Sequence, residues 1–466
     1  MNAILDAARR GRLSEEQAQG LHALGPEAVT FFALAMTRLV GGLPTASTPS
    51  AMVPVYQKPA TSRRKKKPGA RDGHEGSRRK TPDRIDARVE HRLEVCPCCG
   101  GPVQRCQRAR TRIIEDIPHE ITPVVTEHTI HRDYCPACKK HVEPVVPDAM
   151  ANATLGHHVV ALSSWFHYGL GVTISQTLDI LAKHVHTQVT AGGLVDGWRR
   201  LAEALEPWYE QIAGQAKAAA VLHADETGWR VDGQTHWLWC FCNSRTCYYL
   251  IDKSRGGPAL QRFFTEAYQG TLVSDFWAAY EQVAAEDNQY CLVHLLRELL
   301  KVDERNGSAE WKRFAKQLRR LVHDGIRLRK RPNFIAACRD YASRIHLIHR
   351  RLCGLADATH DDADTRRLGE RISRHRDHLF TFLDKPQVPF ENNLVERQIR
   401  PAVIIRKNQL GNRSADGAWT QAVLMSVYRT LRLRGLDPTT TIAEALRTLL
   451  QTGTLPQLPV EAVADG

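Results

Sequence analysis

The sequence predicts a mixed α/β protein, and three observations carry that expectation. Between Ala219 and Tyr290 the chain strings together AVLHADETGWRV, THWLWCFCN, TCYYLIDKS and TLVSDF, rich in Val, Trp, Tyr, Phe and Thr and separated by turn residues. Such runs read as four or five successive strands. Helical periodicity flanks them, over 150–212 before the strands and from Leu295 to about Phe382 and again beyond Pro389 after them. A cysteine cluster between Cys96 and Cys138 marks a separate small unit upstream.

The chain has 466 residues, enough for two or three domains with a real core. Its hydrophobic content of 42% and charged content of 25% are ordinary, but its net charge of +13 is not. A basic excess of this size points to a polyanionic partner, most commonly nucleic acid, although a solubilising surface would look the same. No run approaches the roughly 18 apolar residues of a membrane span. The longest early one, Ala28 to Thr37, stops at Arg38. MNAILDAARRGRLSEE lacks the apolar centre of a secretory signal. The twelve cysteines are therefore expected as thiols and metal ligands in a reducing compartment, and the protein is expected in the cytoplasm.

In chain order, residues 1–42 read as helical, with Ser14 and Gln17 forming a capping box and Pro26 in the first turn of a second helix. Residues 43–92 read as a basic, disordered linker: Lys58 to Lys80 holds ten Lys/Arg against two acids. Such a segment is either a solvated spacer or a nonspecific phosphate contact. Residues 93–147 form the expected zinc-binding unit, with a strand-like run at Ile121–Val125. Residues 150–212 read as a helical spacer, with two helices broken near Thr190–Gly193. That break also suits a helix-turn-helix, although any packed helix pair gives the same pattern. The strands and the helix after Pro389 fall within an α/β unit at 216–425, interrupted by a helical insertion at about 297–382, and 426–466 forms a helical tail.

The cysteines read Cys96-Pro-Cys98-Cys99-Gly-Gly and, further on, Cys135-Pro-Ala-Cys138. Two C-x2-C pairs suit tetrahedral zinc, each pair forming one knuckle, with a hairpin filling the gap between them. Cys96, Cys99, Cys135 and Cys138 are the expected ligands, with Cys98 and Cys106 as bystanders, although Cys98 could replace a neighbour. A four-thiolate site is closed, so this zinc would be structural.

Three acidic motifs lie far apart: HADETGW around Asp225, VSDFWAAY around Asp275 and ENNLVERQIRP around Glu396. Asp225 lies in a strand-like run and Asp275 ends another, where a carboxylate is costly unless paired or metal-bound. Glu396 is expected on a helix, with Asn392 and Asn393 on its face to orient it or a metal-bound water. Three carboxylates converging from distant segments are what a two-ion phosphoryl-transfer site needs, and Mg²⁺ or Mn²⁺ suits oxygen ligands. For Glu396 the bland alternative is an i,i+4 salt bridge with Arg400, and for Glu226 a solvent-exposed place beside Asp225. Glu391 is a rival third acid. Arg397 and Arg400 are expected on the DNA backbone, and His294 and Arg297 on one helix face beside the site. Trp229, Trp237, Trp239 and Trp277 suit core packing better than base stacking.

These motifs resemble the transposases of insertion-sequence family 66, a DDE-class group carried by bacterial mobile elements. Gly73-His74-Glu75-Gly76 with CPCCGG is similar to the family's entry into its zinc unit, and DETGWRVDGQTHWLW to its first acidic motif. SDFWAAY with Cys291-Leu-Val-His294 is similar to its second and ENNLVERQIRP to its third, while GNRSADGAW and RGLDP resemble its C-terminal signature. The resemblance implies an RNase H-like catalytic core at 216–425 carrying Asp225, Asp275 and Glu396, and metal-dependent cleavage and joining of DNA at the ends of an element. It also implies element-encoded accessory proteins, a homo-oligomer on DNA and a place near the nucleoid. Two departures stand out. The first 42 residues show no sustained heptads where the family opens with a longer coiled-coil-like segment, and Glu391 stands where the family commonly has Asp. A catalytically silent DNA-binding derivative and a nuclease that cuts without joining are the rival functions.

Overall fold

A computed structural model describes residues 84–104, 111–115, 117, 121–330 and 340–460, with positions 19, 20 and 23. Almost all of the expected N-terminal helices, the stretch from Lys58 to Lys80, Gly73 to Gly76 and Cys106 lie outside the described residues.

In the cysteine-rich unit, β1 (Asp133–Cys135) pairs antiparallel with β2 (Lys140–Val142), Cys135 facing Lys140. The hairpin is thus built across the second knuckle, whereas the sequence suggested one between the knuckles. The run Ile121–Val125 is not a strand: Val124 and Val125 are 94% and 89% exposed. A strand needs a partner for its backbone, and none of the described residues supplies one.

The helical segment follows as α1 (His157–Ser164), a π-helical turn (Trp165–Gly169), α2 (Ile174–His184) and α3 (Ala191–Lys217). Thr173 and Gln176 make a capping box at α2. The Thr190 hydroxyl accepts from the Gly193 N–H at α3, so the break between the helices falls just before Thr190.

Five strands then form one mixed sheet: β3 (Val221–Val231), β4 (Gln234–Cys242), β5 (Cys247–Asp252), β6 (Tyr268–Ser274) and β7 (Ala285–Tyr290), in the order β5-β4-β3-β6-β7. Asp232 and Gly233 join β3 to β4 with φ of 49° and 69°, the pair of positive angles that a tight hairpin needs and that Asp-Gly supplies at least strain. β5 pairs antiparallel with β4 and β4 with β3, while β6 and β7 run parallel to β3. The first parallel crossover passes through α4 (Gly257–Phe263), the second through a 3₁₀ turn (Ala278–Gln282).

The chain leaves β7 into α5 (Leu292–Asp303), α6 (Ala309–Arg329), α7 (Tyr341–Ala356), α8 (Ala363–His375) and α9 (Thr381–Asp384), which share a core with β7. It returns through α10 (Asn393–Gln409), α11 (Ala415–Leu433) and α12 (Pro438–Thr452). Gly411, between α10 and α11, has a φ of 130° and packs so closely on the Arg230 carbonyl that a Cβ would collide with it. Asn412 then bonds β3 through its backbone, and Ser414 caps α11. Among the described residues no helix is long and apolar enough to cross a membrane.

The segments expected as a helical spacer and a helical tail belong to one core. Trp198, Leu205 and Trp208 of α3, Val427 and Tyr428 of α11 and Leu446 of α12 are buried together against Leu238, Cys240 and Tyr249 of the sheet, and α11 runs through residue 425 without a break. The opposite face is covered by Leu260, Phe263 and Tyr280. β5 is an edge strand whose free amides would otherwise be unpaired. Ser426 accepts from the Tyr249 N–H at 2.9 Å, and Thr430 from the Cys247 N–H at 3.1 Å. Ser426 is fully buried. Ser426→Ala is therefore expected to strand the Tyr249 amide and cost about 1–3 kcal/mol, read as a lowered urea midpoint; an unchanged midpoint would refute this role.

Candidate active site

Residues alternate in direction along β3. Leu222 and Ala224 point into the α4 side of the sheet, and Glu226 shares their parity. It is only 4% exposed, so the solvent-exposed alternative for Glu226 is wrong. Its Oε1 accepts from Arg255 Nε and Nη2 at 3.1 and 3.0 Å, and its Oε2 from the Tyr280 hydroxyl at 2.7 Å. The Arg255 guanidinium lies between the rings of Trp237 and Trp277, 4.5 and 4.0 Å from their centroids. Trp229 and Trp239 are buried in the core. His223 and Asp225 have the other parity and face α10.

Asp275 directly follows β6, and its Oδ1 accepts from the Trp277 N–H at 2.9 Å. The Ser274 carbonyl beside it accepts from the Cys291 N–H at 2.8 Å. The Cys291 thiol in turn accepts from the Asn392 N–H at 3.3 Å. Asn392 then reaches β3: its Nδ2 donates to the Ala224 carbonyl at 2.9 Å, so its Oδ1 is the acceptor that meets His223 Nδ1 at 2.8 Å. This pairing puts the proton of His223 on Nδ1. Asn392 is only 1% exposed and precedes the helix, with φ −108° and ψ 26°. It sits one turn before Glu396, whose N–H donates to the Asn392 carbonyl at 3.3 Å, but its side-chain amide is engaged by β3. Asn393 opens the helix, half-buried.

Glu396 lies in the first turn of α10. Its Oε1 is 3.2 Å from Arg297 Nη2 and 3.6 Å from His294 Nε2, both on α5. The alternative pairing with Arg400 is not formed: the cation that meets Glu396 is Arg297 on α5. Arg297 Nη1 donates to His294 Nε2 at 3.3 Å, which leaves the proton on Nδ1, a buried atom without a partner. Arg397 and Arg400 are exposed and make no ion pair among the described residues. Glu391 is half-buried before the helix.

The acids sense one another. Asp225 is held well above the usual carboxylate range, first by burial and then by the negative charges of Glu226, Asp275 and Glu396. Burial and the charge of Asp275 push Glu226 up to about 7, against the opposing hydrogen bonds of Tyr280 and Arg255. Burial lowers His294, while Asp275 and Glu396 oppose that shift. The charges of Asp275 and Glu396 thus act on both Asp225 and His294.

The first knuckle is closed by Cys96 N–H to Gly101 O and Gly100 N–H to Cys96 O, both at 2.8 Å. In the second, the Cys138 N–H donates to Cys135 Sγ at 3.5 Å. Backbone N–H groups of Cys98 and Cys138 lower the thiols of Cys96 and Cys135, respectively. Each pair thus closes a tight turn around a thiol of lowered pKa. Among the described residues, however, no three Cys, His, Asp or Glu side chains stand close enough to hold one ion as they are. Asp225, Asp275 and Glu396 supply the oxygen donors that a divalent cation prefers, but as they stand they do not converge closely enough to hold one ion between them.

The raised acids set the pH dependence of stability. Between about 4.5, the usual value for Glu, and about 7, native Glu226 retains a proton that the unfolded chain has lost. The unfolding free energy therefore falls as pH rises through that window. In metal-free protein the melting temperature is expected to decline across this range, with the decline smaller in Asp225→Asn. A melting temperature that rises over the same range would contradict the cluster.

The family model described as the IS66 family of transposases matches residues 152–420, more than half of the chain. The match spans all five strands of the mixed sheet and every acid of the cluster. The chain is also similar to two proteins of Sinorhizobium fredii. Uncharacterized protein y4jD is 23% identical over 407 residues, covering 80% of this chain and 78% of that protein. Uncharacterized protein y4hP is 22% identical over 394 residues, covering 76% and 70%. By the extent of the family match, the chain belongs to the IS66 family of transposases.

Proposed function

We propose that this protein is a DDE-type DNA transposase that cuts and joins the ends of a mobile element, with Asp225, Asp275 and Glu396 as its catalytic acids. The observation that carries the proposal is the chain of buried hydrogen bonds through Asn392 and Cys291, which ties β3 with Asp225 to the end of β6 just before Asp275 and to the start of α10 with Glu396. Family membership supplies the DNA substrate. The sheet order β5-β4-β3-β6-β7, antiparallel on one side of β3 and parallel on the other, supports an RNase H-like core.

Asp225, Asp275 and Glu396 would hold Mg²⁺ or Mn²⁺, which when bound supplies activation of the attacking oxygen and charge neutralisation at the leaving oxygen. Arg297 fixes the Glu396 carboxylate from one side, and His294, whose Nε2 lies 3.6 Å from that carboxylate, keeps a buried Nδ1–H without a partner among the described residues. Arg255 and Tyr280 keep Glu226 turned away from α10, so Asp225 alone of the adjacent pair faces Glu396. Arg397 and Arg400 offer exposed cations to phosphates near the cut. The knuckles at Cys96, Cys99, Cys135 and Cys138 would close on a structural zinc, which joins segments that have little core of their own. Accessory proteins, a homo-oligomer on DNA and a cytoplasmic site at the nucleoid follow from the same reading.

With Mg²⁺ and labelled duplex from the flanks of its own gene, the wild-type protein is expected to yield cut and joined products. Asp225→Asn should lose several kcal/mol of charge stabilisation, about three orders of magnitude in rate, while still binding duplex. Cleavage by Asp225→Asn at the wild-type rate would overturn the proposal, and cutting without joining would reduce the protein to a nuclease. Metal analysis of the purified chain should find one zinc, lost in Cys135→Ser; a zinc-free wild type would remove the structural site.

A further inference from the structure

We propose that the outward face of α6, within the helical insertion, is a docking track for the phosphate backbone of duplex DNA. The proposal rests on the transposase reading for its partner, and adds the surface that holds it and the kind of contact made there.

The helix AEWKRFAKQLRRLVHDGIRLR carries seven Lys/Arg and two acids. At about 100° per residue, its charges separate cleanly from its core. Trp311, Phe314, Ala315, Leu318, Leu321, Val322 and Leu328 are buried on one side. Arg319, Lys312, His323, Lys316, Arg327, Arg320 and Arg313 follow one another around the opposite arc of roughly 120°. No acid interrupts that arc. Glu310 turns inward to His360 and to the backbone N–H groups of Asp361 and Asp362. Asp324 lies at the edge of the arc, 2.8 Å from Arg351 and 3.6 Å from Arg327. Arg319 bonds Asp303 at the other edge. Lys312, Arg313, Lys316 and Arg320, in the middle, are exposed and have no ion pair or hydrogen bond among the described residues.

Several features select a duplex backbone over other polyanions. From Lys312 to Arg327 the stripe runs about 22 Å along the helix, the rise of about six base pairs. No large apolar side chain is exposed on α6. The stripe therefore offers no platform on which single-stranded bases could stack and no apolar face for a membrane. The helix is held firmly at its start, where Ser308 caps it and Trp311 Nε1 donates to Asp303 at 3.0 Å. Beside the stripe, a groove of about 440 Å³ runs between α6 and α7, lined by Gln317, Arg320, Leu321, Arg351, Gly354 and Leu355. Nothing stands within 4 Å of where a Cβ on Gly354 would lie, so the groove wall is low there and gives a curved backbone room to approach. Contacts of this kind position DNA without reading its sequence.

The test is equilibrium binding of full-length protein to a duplex of arbitrary sequence, followed by fluorescence anisotropy from about 50 to 200 mM salt. The variant combines Lys312→Gln, Lys316→Gln and Arg320→Gln. These side chains are exposed and unpaired, so its thermal melt should match the wild type and confirm the fold. The expected result is binding weakened at least about tenfold and a slope of log K against log salt reduced by about two to three, at about 0.9 for each phosphate that the variant no longer neutralises. An unchanged slope and affinity in the variant, with steep salt dependence in the wild type, overturns the α6 track and leaves the transposase reading standing. Absence of salt-dependent duplex binding by the wild type itself overturns that reading, and the track with it.

Discussion

The side-chain amide of Asn392 is the joint on which the candidate site depends. It is bonded to the Ala224 carbonyl and to His223 on β3, and its backbone N–H reaches the Cys291 thiol at the start of α5. Cys291 is bonded in turn to the end of β6, one residue before Asp275. This short chain of buried bonds ties together the segments that carry Asp225, Asp275 and Glu396 and the insertion that carries His294 and Arg297. A buried amide whose donor and acceptor are both engaged is costly to displace.

Against that joint stands an electrostatic penalty. Two adjacent strand residues, Asp225 and Glu226, are both acids, and Asp275 acts on each. The fold answers them differently. Glu226 is neutralised by Arg255, itself held between Trp237 and Trp277, and by Tyr280. Both acids stay raised, but Asp225 has no such cation among the described residues and is held well above the usual carboxylate range. A site that leaves one acid uncompensated while compensating its neighbour is poised for an added positive charge, which is the physical core of the metal-dependent reading.

Much of this was legible in the sequence because strand and helix periodicities are local properties. Four of the five strands announce themselves through Val, Trp, Tyr and Phe runs, β7 (AEDNQY) being the exception, and Asp-Gly at 232–233 marks the hairpin. Asp225 and Asp275 were placed on or at the end of their strands, and Glu396 on a helix, by the same patterns. The burial of Glu226 was also within reach, since it shares the parity of Leu222 and Ala224. Arg255, Tyr280 and the bond from Asn392 to His223 carried no sequence signal, because each partner lies 29 or more residues away and meets only through tertiary packing. The run Ile121–Val125 failed for a related reason: β-branched residues favour a strand only where another strand pairs with them. The helices before and after the sheet looked like a spacer and a tail because a periodic pattern reveals a buried face but not what covers it.

The most direct test of the account is calorimetric titration of Mn²⁺ into metal-free wild-type protein and into Asp225→Asn, Asp275→Asn and Glu396→Gln. If the three acids form one centre, each variant should bind at least about tenfold more weakly, a loss of about 1.4 kcal/mol or more. Wild-type affinity in Glu396→Gln would show that α10 contributes no ligand and would contradict the account at its centre.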